Sequence, residues 1–97
     1  MQVRFTAEAN AAFLKIIRYI AADNPLAAQR FIQQVRSASN RLAQFPQLGP
    51  RIPEFPTSQH RQFIIDPYRF FYRVEDESVW IVAVWHGKQV SAQPALP

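Results

Sequence analysis

Apolar positions follow one period up to about residue 45 and another from about residue 61. Ala9, Phe13, Ile16 and Ile20 recur at spacings of four, three and four, which marks one face of an α-helix. Thr6 is placed to cap that helix, and Glu8 lies in its first turn, where a carboxylate suits the helix dipole. The helix is expected from about Ala7 to Ala22. Asp23-Asn24-Pro25 then stops one helix and starts another: Asn24 can cap, and Pro25 suits the first helical position, where its missing N–H costs nothing. Ala28, Phe31, Val35, Ala38, Leu42 and Phe45 continue at alternating spacings of three and four, an unbroken apolar seam. Two amphipathic helices joined so tightly form an antiparallel hairpin. Its seams are too short for a free coiled coil, so the helices are expected to pack on each other and on a sheet.

A short strand precedes the first helix, around Val3 and Phe5. Residues 46–59 hold four prolines, which remove backbone donors and disfavour helix, so this segment reads as a stiff extended loop. From Arg61 the period becomes two, with Phe63 and Ile65 alternating with Gln62 and Ile64. Asp66-Pro67 signals a turn. Tyr68, Phe70, Tyr72 and Val74 share one face, expected to meet the helices, while Arg69, Phe71 and Arg73 share the other. Glu75-Asp76-Glu77 is a polar turn, and Val79–His86 is rich in β-branched and aromatic residues, as in a central strand covered on both faces. The expected fold is α+β, in the order β-α-α-β-β-β: a small antiparallel sheet packed against an antiparallel helical hairpin.

Ninety-seven residues allow one core, assigned to residues 1–90, with 91–97 expected to be a flexible tail. Apolar residues at 48% against 19% charged place the chain among globular proteins. The absence of cysteine excludes disulfides, thiolate metal sites and a cysteine nucleophile. Gly49 and Gly87 are too few for a dinucleotide fingerprint, and Gly87-Lys88-Gln89 lacks the ending of a phosphate-binding loop. The longest apolar run, Val79 to Trp85, is too short to span a membrane, and Met1-Gln2-Val3-Arg4-Phe5 carries no apolar signal region, so the cytoplasm is the expected location. No cofactor is expected, and His60 and His86 lack the spacing of a metal site. No serine lies in a Gly-x-Ser-x-Gly elbow.

A net charge of +4 points to an anionic partner. Arg69 and Arg73 stand about 13 Å apart on one strand face. They are either a solvated pair or a cationic surface for phosphate or carboxylate. Lys15, Arg18, Arg30, Arg36 and Arg41 make the hairpin basic, without the interleaved aromatics of a single-strand nucleic-acid platform. His86, at a strand end, reads either as an ordinary hydrogen-bonded residue or as a catalyst. Trp85 beside it reads as core in preference to interface.

The ordered set FTAEANAAFLKIIRYIA, NPLAAQRF, LGPRIPEF, Arg61 opening a strand, YRFFYRVE and VWIVAVWHGK resembles the ParE/RelE superfamily of bacterial toxins from type II toxin–antitoxin, or plasmid-stabilisation, modules. The resemblance runs from Val3 to about Lys88. It implies a sheet backed by a helical hairpin and a cognate acidic antitoxin, through which alone the toxin would reach operator DNA. ParE-like members inhibit DNA gyrase by binding. RelE-like members cut mRNA on the ribosome, with the 2′-hydroxyl as nucleophile.

This chain has only Lys15 and Lys88 as lysines and no tyrosine after Tyr72, which departs from the lysine-rich RelE pattern. A second ribonuclease subgroup, resembling YoeB, uses a glutamate, an arginine and a late histidine. Glu54, Arg69 and His86 fall in matching regions, with Arg61 as a further phosphate partner, although Gly87 stands where that subgroup has an aromatic residue. The favoured expectation is a ParE-like gyrase inhibitor, leaning away from an enzyme. Arg18, Arg30, Arg41, Arg51, Arg69, Arg73, His86 and Lys88 would contact target or antitoxin. The alternative is a ribosome-dependent mRNA endonuclease using Glu54, Arg61, Arg69 and His86. Charge distribution bears on the choice. Residues 1–48 hold six basic and two acidic residues, whereas residues 49–97 hold five of each. A surplus on the helices suits an acidic protein partner.

Overall fold

The computed structural model describes residues 1–87, so Lys88 and the expected tail at 91–97 lie outside the described residues. The elements run β1 (Gln2–Phe5), α1 (Ala7–Asp23), α2 (Pro25–Gln44), β2 (Arg61–Ile65), β3 (Tyr68–Glu75) and β4 (Ser78–His86). Both expected caps are in place. Thr6 Oγ1 accepts from the Ala9 N–H and Asn24 Oδ1 from the Ala27 N–H, each filling one of the orphan donors at a helix start, and Pro25 occupies the first turn of α2.

The α+β class and element order stand as expected, but the sheet is mixed rather than wholly antiparallel. Its order is β1-β4-β3-β2, with β2–β3 and β3–β4 antiparallel and β1 parallel to β4. The meander leaves one edge of β4 open, and β1 fills it from the far side of the helical crossover. The Asp66–Pro67 peptide at the β2–β3 turn is cis.

The hairpin covers one face of the sheet. Phe31, Val35 and Leu42 of α2 meet Phe70, Tyr72, Val79, Ile81 and Val84, with Ala9 admitting α1 closely. Phe13 links the layers, its ring 5.3 Å from Phe5 and 6.1 Å from Phe70, and Phe63 stacks on Phe70 at 4.7 Å.

The opposite face is covered too, as the reading of Val79–His86 as a doubly covered strand expects, and the cover leaves Arg69 neither solvated nor displayed as a cationic surface. The proline-rich loop folds over this face and seats Ile52 and Phe55 against Phe71, Val82, Ala83, Trp80 and Trp85, forming a second core. Trp85 thus packs against Phe71 at 4.7 Å, as the core reading required. One tyrosine pins the loop. The Tyr72 hydroxyl donates to the Pro46 carbonyl at 2.9 Å and accepts from the Gly49 N–H at 3.0 Å. Position 49 has no room for a side chain, because a Cβ there would stand 2.3 Å from the Gln62 carbonyl oxygen and 2.7 Å from that hydroxyl.

Candidate functional site

Arg69 is the centre of the loop-covered face. It is 9% exposed, so the expectation of a solvated or surface-displayed guanidinium at this position is corrected. Its Nη1 and Nη2 each donate to one Glu54 carboxylate oxygen at 2.8 Å, the two-pronged geometry that makes arginine–carboxylate pairs strong. Nε and Nη2 also donate to Gln62 Oε1 at 2.8 and 2.6 Å, and the guanidinium lies 5.1 Å over the Phe71 ring. A charge taken this far out of water is retained because each side of it is occupied. The hydrogen bonds from Arg69 hold the Glu54 carboxyl down at about 2.

His86 is elsewhere. It packs edge-on to Tyr68 at 5.8 Å and borders a shallow cavity of about 360 Å³ with Lys15 and Tyr19 of α1, on the helix-covered face. Burial pushes the Tyr68 phenol up, and the neighbouring Tyr19 adds to the shift. The cause of the separation is a β-bulge in β4. Phe71 pairs with Ala83 but Tyr72 pairs with Ile81, leaving Val82 as an extra residue. Strict alternation from the inward Val79 would point His86 to the Arg69 side. The extra residue reverses the parity beyond it, so Val84 and His86 face the helices. Glu54 and Arg69 are therefore brought together, and His86 is on the other side of the sheet.

Arg61 does not join Arg69 either. Its Nη1 donates to the Gly49 carbonyl at 2.9 Å and lies 3.4 Å from the Gln47 carbonyl oxygen. It lines an open cleft of about 510 Å³ with Arg51, His60 and Arg73, where β2 begins and β3 ends. Arg73 pairs with Glu75 at 2.9 Å. Arg18, Arg30, Arg36 and Arg41 are exposed on the helices, and among the described residues no carboxylate pairs with them.

Sequence reasoning missed two contributors. Gln62 is buried as the neutral acceptor for Arg69, and His60 lines the cationic cleft. Gln62 had a legible signal, since it lies on the same strand face as Ile64 and away from Phe63. The place of His60 depends on the path of the loop and had none. Among the described residues, no group of three His, Cys, Asp or Glu is placed to hold a metal, and no helix is long and apolar enough to cross a membrane.

Comparison with known proteins matches residues 3–91 to the model of the ParE toxin of type II toxin–antitoxin systems, parDE. A relative named Toxin RelE2, from Caulobacter vibrioides, is 33% identical over 90 residues, covering 92% of this chain and 98% of its own. Among solved structures, a chain from the chromosomal ParDE TA system of P. aeruginosa superposes with a TM-score of 0.72 at 18% identity, covering 89% of this chain and 95% of that one. At that identity the superposition speaks for the fold.

Proposed function

The chain belongs to the ParE toxin family of type II toxin–antitoxin systems, and on that premise we propose that it is a cytoplasmic toxin that inhibits DNA gyrase by binding and is neutralised by an acidic cognate antitoxin. The observation that carries this reading is the placement of the ribonuclease candidates. General acid–base cleavage of RNA needs its acid, its base and its phosphate-stabilising cation around one scissile bond. Here Arg69 and Glu54 hold each other on one face of the sheet, and His86 lies on the other. A carboxylate held at about 2 by a bidentate arginine is also a weak base. The glutamate, arginine and histidine are thus better explained as parts of the scaffold than as a catalytic set.

The other residues expected to contact target or antitoxin are Arg18, Arg30 and Arg41, exposed on the helices, Arg51, exposed at the cleft, Arg73, half-buried beside it, and His86 at the helix-side cavity, with Lys88 outside the described residues. Arg69, buried in its bonds to Glu54 and Gln62, is better placed to fasten the loop than to meet a partner directly. The test is titration of purified, folded toxin into gyrase acting on relaxed plasmid. Dose-dependent loss of supercoiling is expected, with intact mRNA on translating ribosomes under the same dose. Unchanged supercoiling at saturating toxin, or mRNA cut only when toxin is present, overturns the proposal.

A further inference from the structure

We propose that two adjoining clefts, at the end of α2 and the end of β3, form one docking site for a protein segment that carries a carboxylate beside an apolar side chain. The inference rests on the toxin reading above, in which an antitoxin segment is the natural bearer of that chemistry.

The first cleft is the cationic one. Arg51 and Arg61 face each other across an isolated antiparallel bridge. Like charges directly opposite on a sheet disfavour the pairing, and an anion between them relieves it. The two guanidiniums are held by neutral groups. Arg51 Nη1 donates to the Ser58 carbonyl at 3.3 Å and Arg61 Nη1 to the Gly49 carbonyl at 2.9 Å. Backbone carbonyls orient the arginine planes without cancelling their charge. Arg73 adds a third guanidinium, and among the described residues Glu75 is the single carboxylate lining the cleft. The result is a pre-oriented surplus of forked donors, which suits an oxyanion.

The second cleft, of about 500 Å³, is apolar and is lined by Met1, Phe45, Leu48 and Val74 among others. These side chains are 50%, 60%, 56% and 45% exposed. Gln47 and Val74 line both clefts, so the two are continuous. An apolar side chain seated on Phe45 and Leu48 would bring a neighbouring carboxylate to the arginines.

Two observations favour a protein segment over nucleic acid. The acidic turn Glu75-Asp76-Glu77 begins two residues after Arg73 and would repel an extended polyanion, which carries a charge every few ångströms. Of the two rings lining the cationic cleft, Tyr72 is fully buried and offers no face for base stacking, which leaves the half-buried His60 imidazole in place of a stacking platform.

The test uses the full chain with four probes followed by NMR: a short peptide alternating leucine and glutamate, its glutamine counterpart, a short single-stranded DNA, and inorganic phosphate. The leucine–glutamate peptide is expected to shift the arginine Nε–H signals of Arg51, Arg61 and Arg73 together with the methyls of Leu48 and Val74, saturably. The glutamine peptide should bind about tenfold more weakly, as should the peptide to Arg73→Gln, whose half-buried side chain belongs to neither core and can be replaced without opening one. Leu48→Ser should weaken binding through the apolar cleft while leaving the arginine signals of the free protein in place. Shifts confined to one cleft, equal binding of the glutamine peptide, or tighter binding of DNA or phosphate at the same arginines overturns the proposal. Failure here alongside intact gyrase inhibition removes the docking site and leaves the toxin reading standing. Loss of gyrase inhibition with peptide binding intact does the reverse.

Discussion

Arg69 and His86 sit one register step apart on adjacent strands and point to opposite faces of the sheet. Arg69 pairs across the sheet with Trp85, the residue before His86, and the bulge at Val82 puts the histidine on the helix side. Groups that act on one bond behave as a unit, so removing either costs nearly as much as removing both. Groups whose side chains point to opposite faces of a sheet act on different surroundings and are expected to behave independently. His86→Gln and Arg69→Gln are therefore expected to shift the toxin dose for half-inhibition of supercoiling by factors that multiply in the double variant. Their effects on unfolding free energy should add within about 0.5 kcal/mol. A double variant no worse than the more impaired single one contradicts this.

The Arg69–Glu54 pair sets an acid limb of stability. A carboxyl depressed in the folded state contributes stability that is present above its ordinary pKa near 4.5 and is lost as pH falls through its folded value of about 2. The contribution is expected to be about 1 kcal/mol at most, because the Glu54 side chain remains 40% exposed and water screens the pair. Denaturant unfolding from pH 5 down to about pH 2 should therefore fall more steeply for the wild type than for Glu54→Gln, the two curves converging at the acid end. Arg69→Gln should be worse than Glu54→Gln at neutral pH, since it also strips the buried Gln62 carbonyl of its donors, at about 1–3 kcal/mol.

Tyr72 and Gly49 hold the loop over the second core. Tyr72→Phe keeps the ring and removes the hydroxyl, leaving the Gly49 N–H and the Pro46 carbonyl without that partner; the expected loss is about 1–3 kcal/mol. Gly49→Ala forces a Cβ against the Gln62 carbonyl and the same hydroxyl, and should destabilise by a similar or larger amount. Because both changes act on one hydroxyl, the double variant should lose less than the sum of the singles, measured by denaturant unfolding.

The helical half was readable because its signals are local. Caps at Thr6 and Asn24, Pro25 at the helix start and the seam from Ala28 to Leu42 each act within one or two turns. The strands of the meander were readable for the same reason. Three features were not, and each depends on chain segments far apart in sequence. Period-two alternation puts Arg69, Phe71 and Trp80 on one face, and the apolar run of β4 calls for cover there, but neither says which segment supplies it or that the cover reaches Arg69. The available clue was the apolar load of that face, with Phe71, Trp80, Val82 and Trp85 calling for cover and Ile52 and Phe55 set among prolines able to supply it. The parallel entry of β1 follows from which edge of β4 remains open. The bulge at Val82 leaves no mark in an unbroken apolar run, yet it decides the face of His86 and with it the candidate chemistry.

The charge surplus of the helical half predicts how partners arrive. Arg18, Arg30, Arg36 and Arg41 are exposed, without carboxylate partners among the described residues, and they share the half that carries six basic residues against two acidic. Exposed charges are felt over a Debye length, about 8–10 Å at physiological salt and longer at low salt, so they act mainly on the approach and do so less as salt rises. Complementary charge raises the association rate more than it slows dissociation. Association with an acidic protein partner should therefore slow as salt rises, while dissociation changes little. Replacing the four helix arginines with glutamine should lower the low-salt association rate and flatten its salt dependence. It should move unfolding free energy by no more than about 0.5 kcal/mol per site, since none of these side chains lies in a core. Stopped-flow association across a salt series measures both slopes. A salt dependence unchanged by the fourfold substitution would assign the steering to the cationic cleft at Arg51, Arg61 and Arg73 instead.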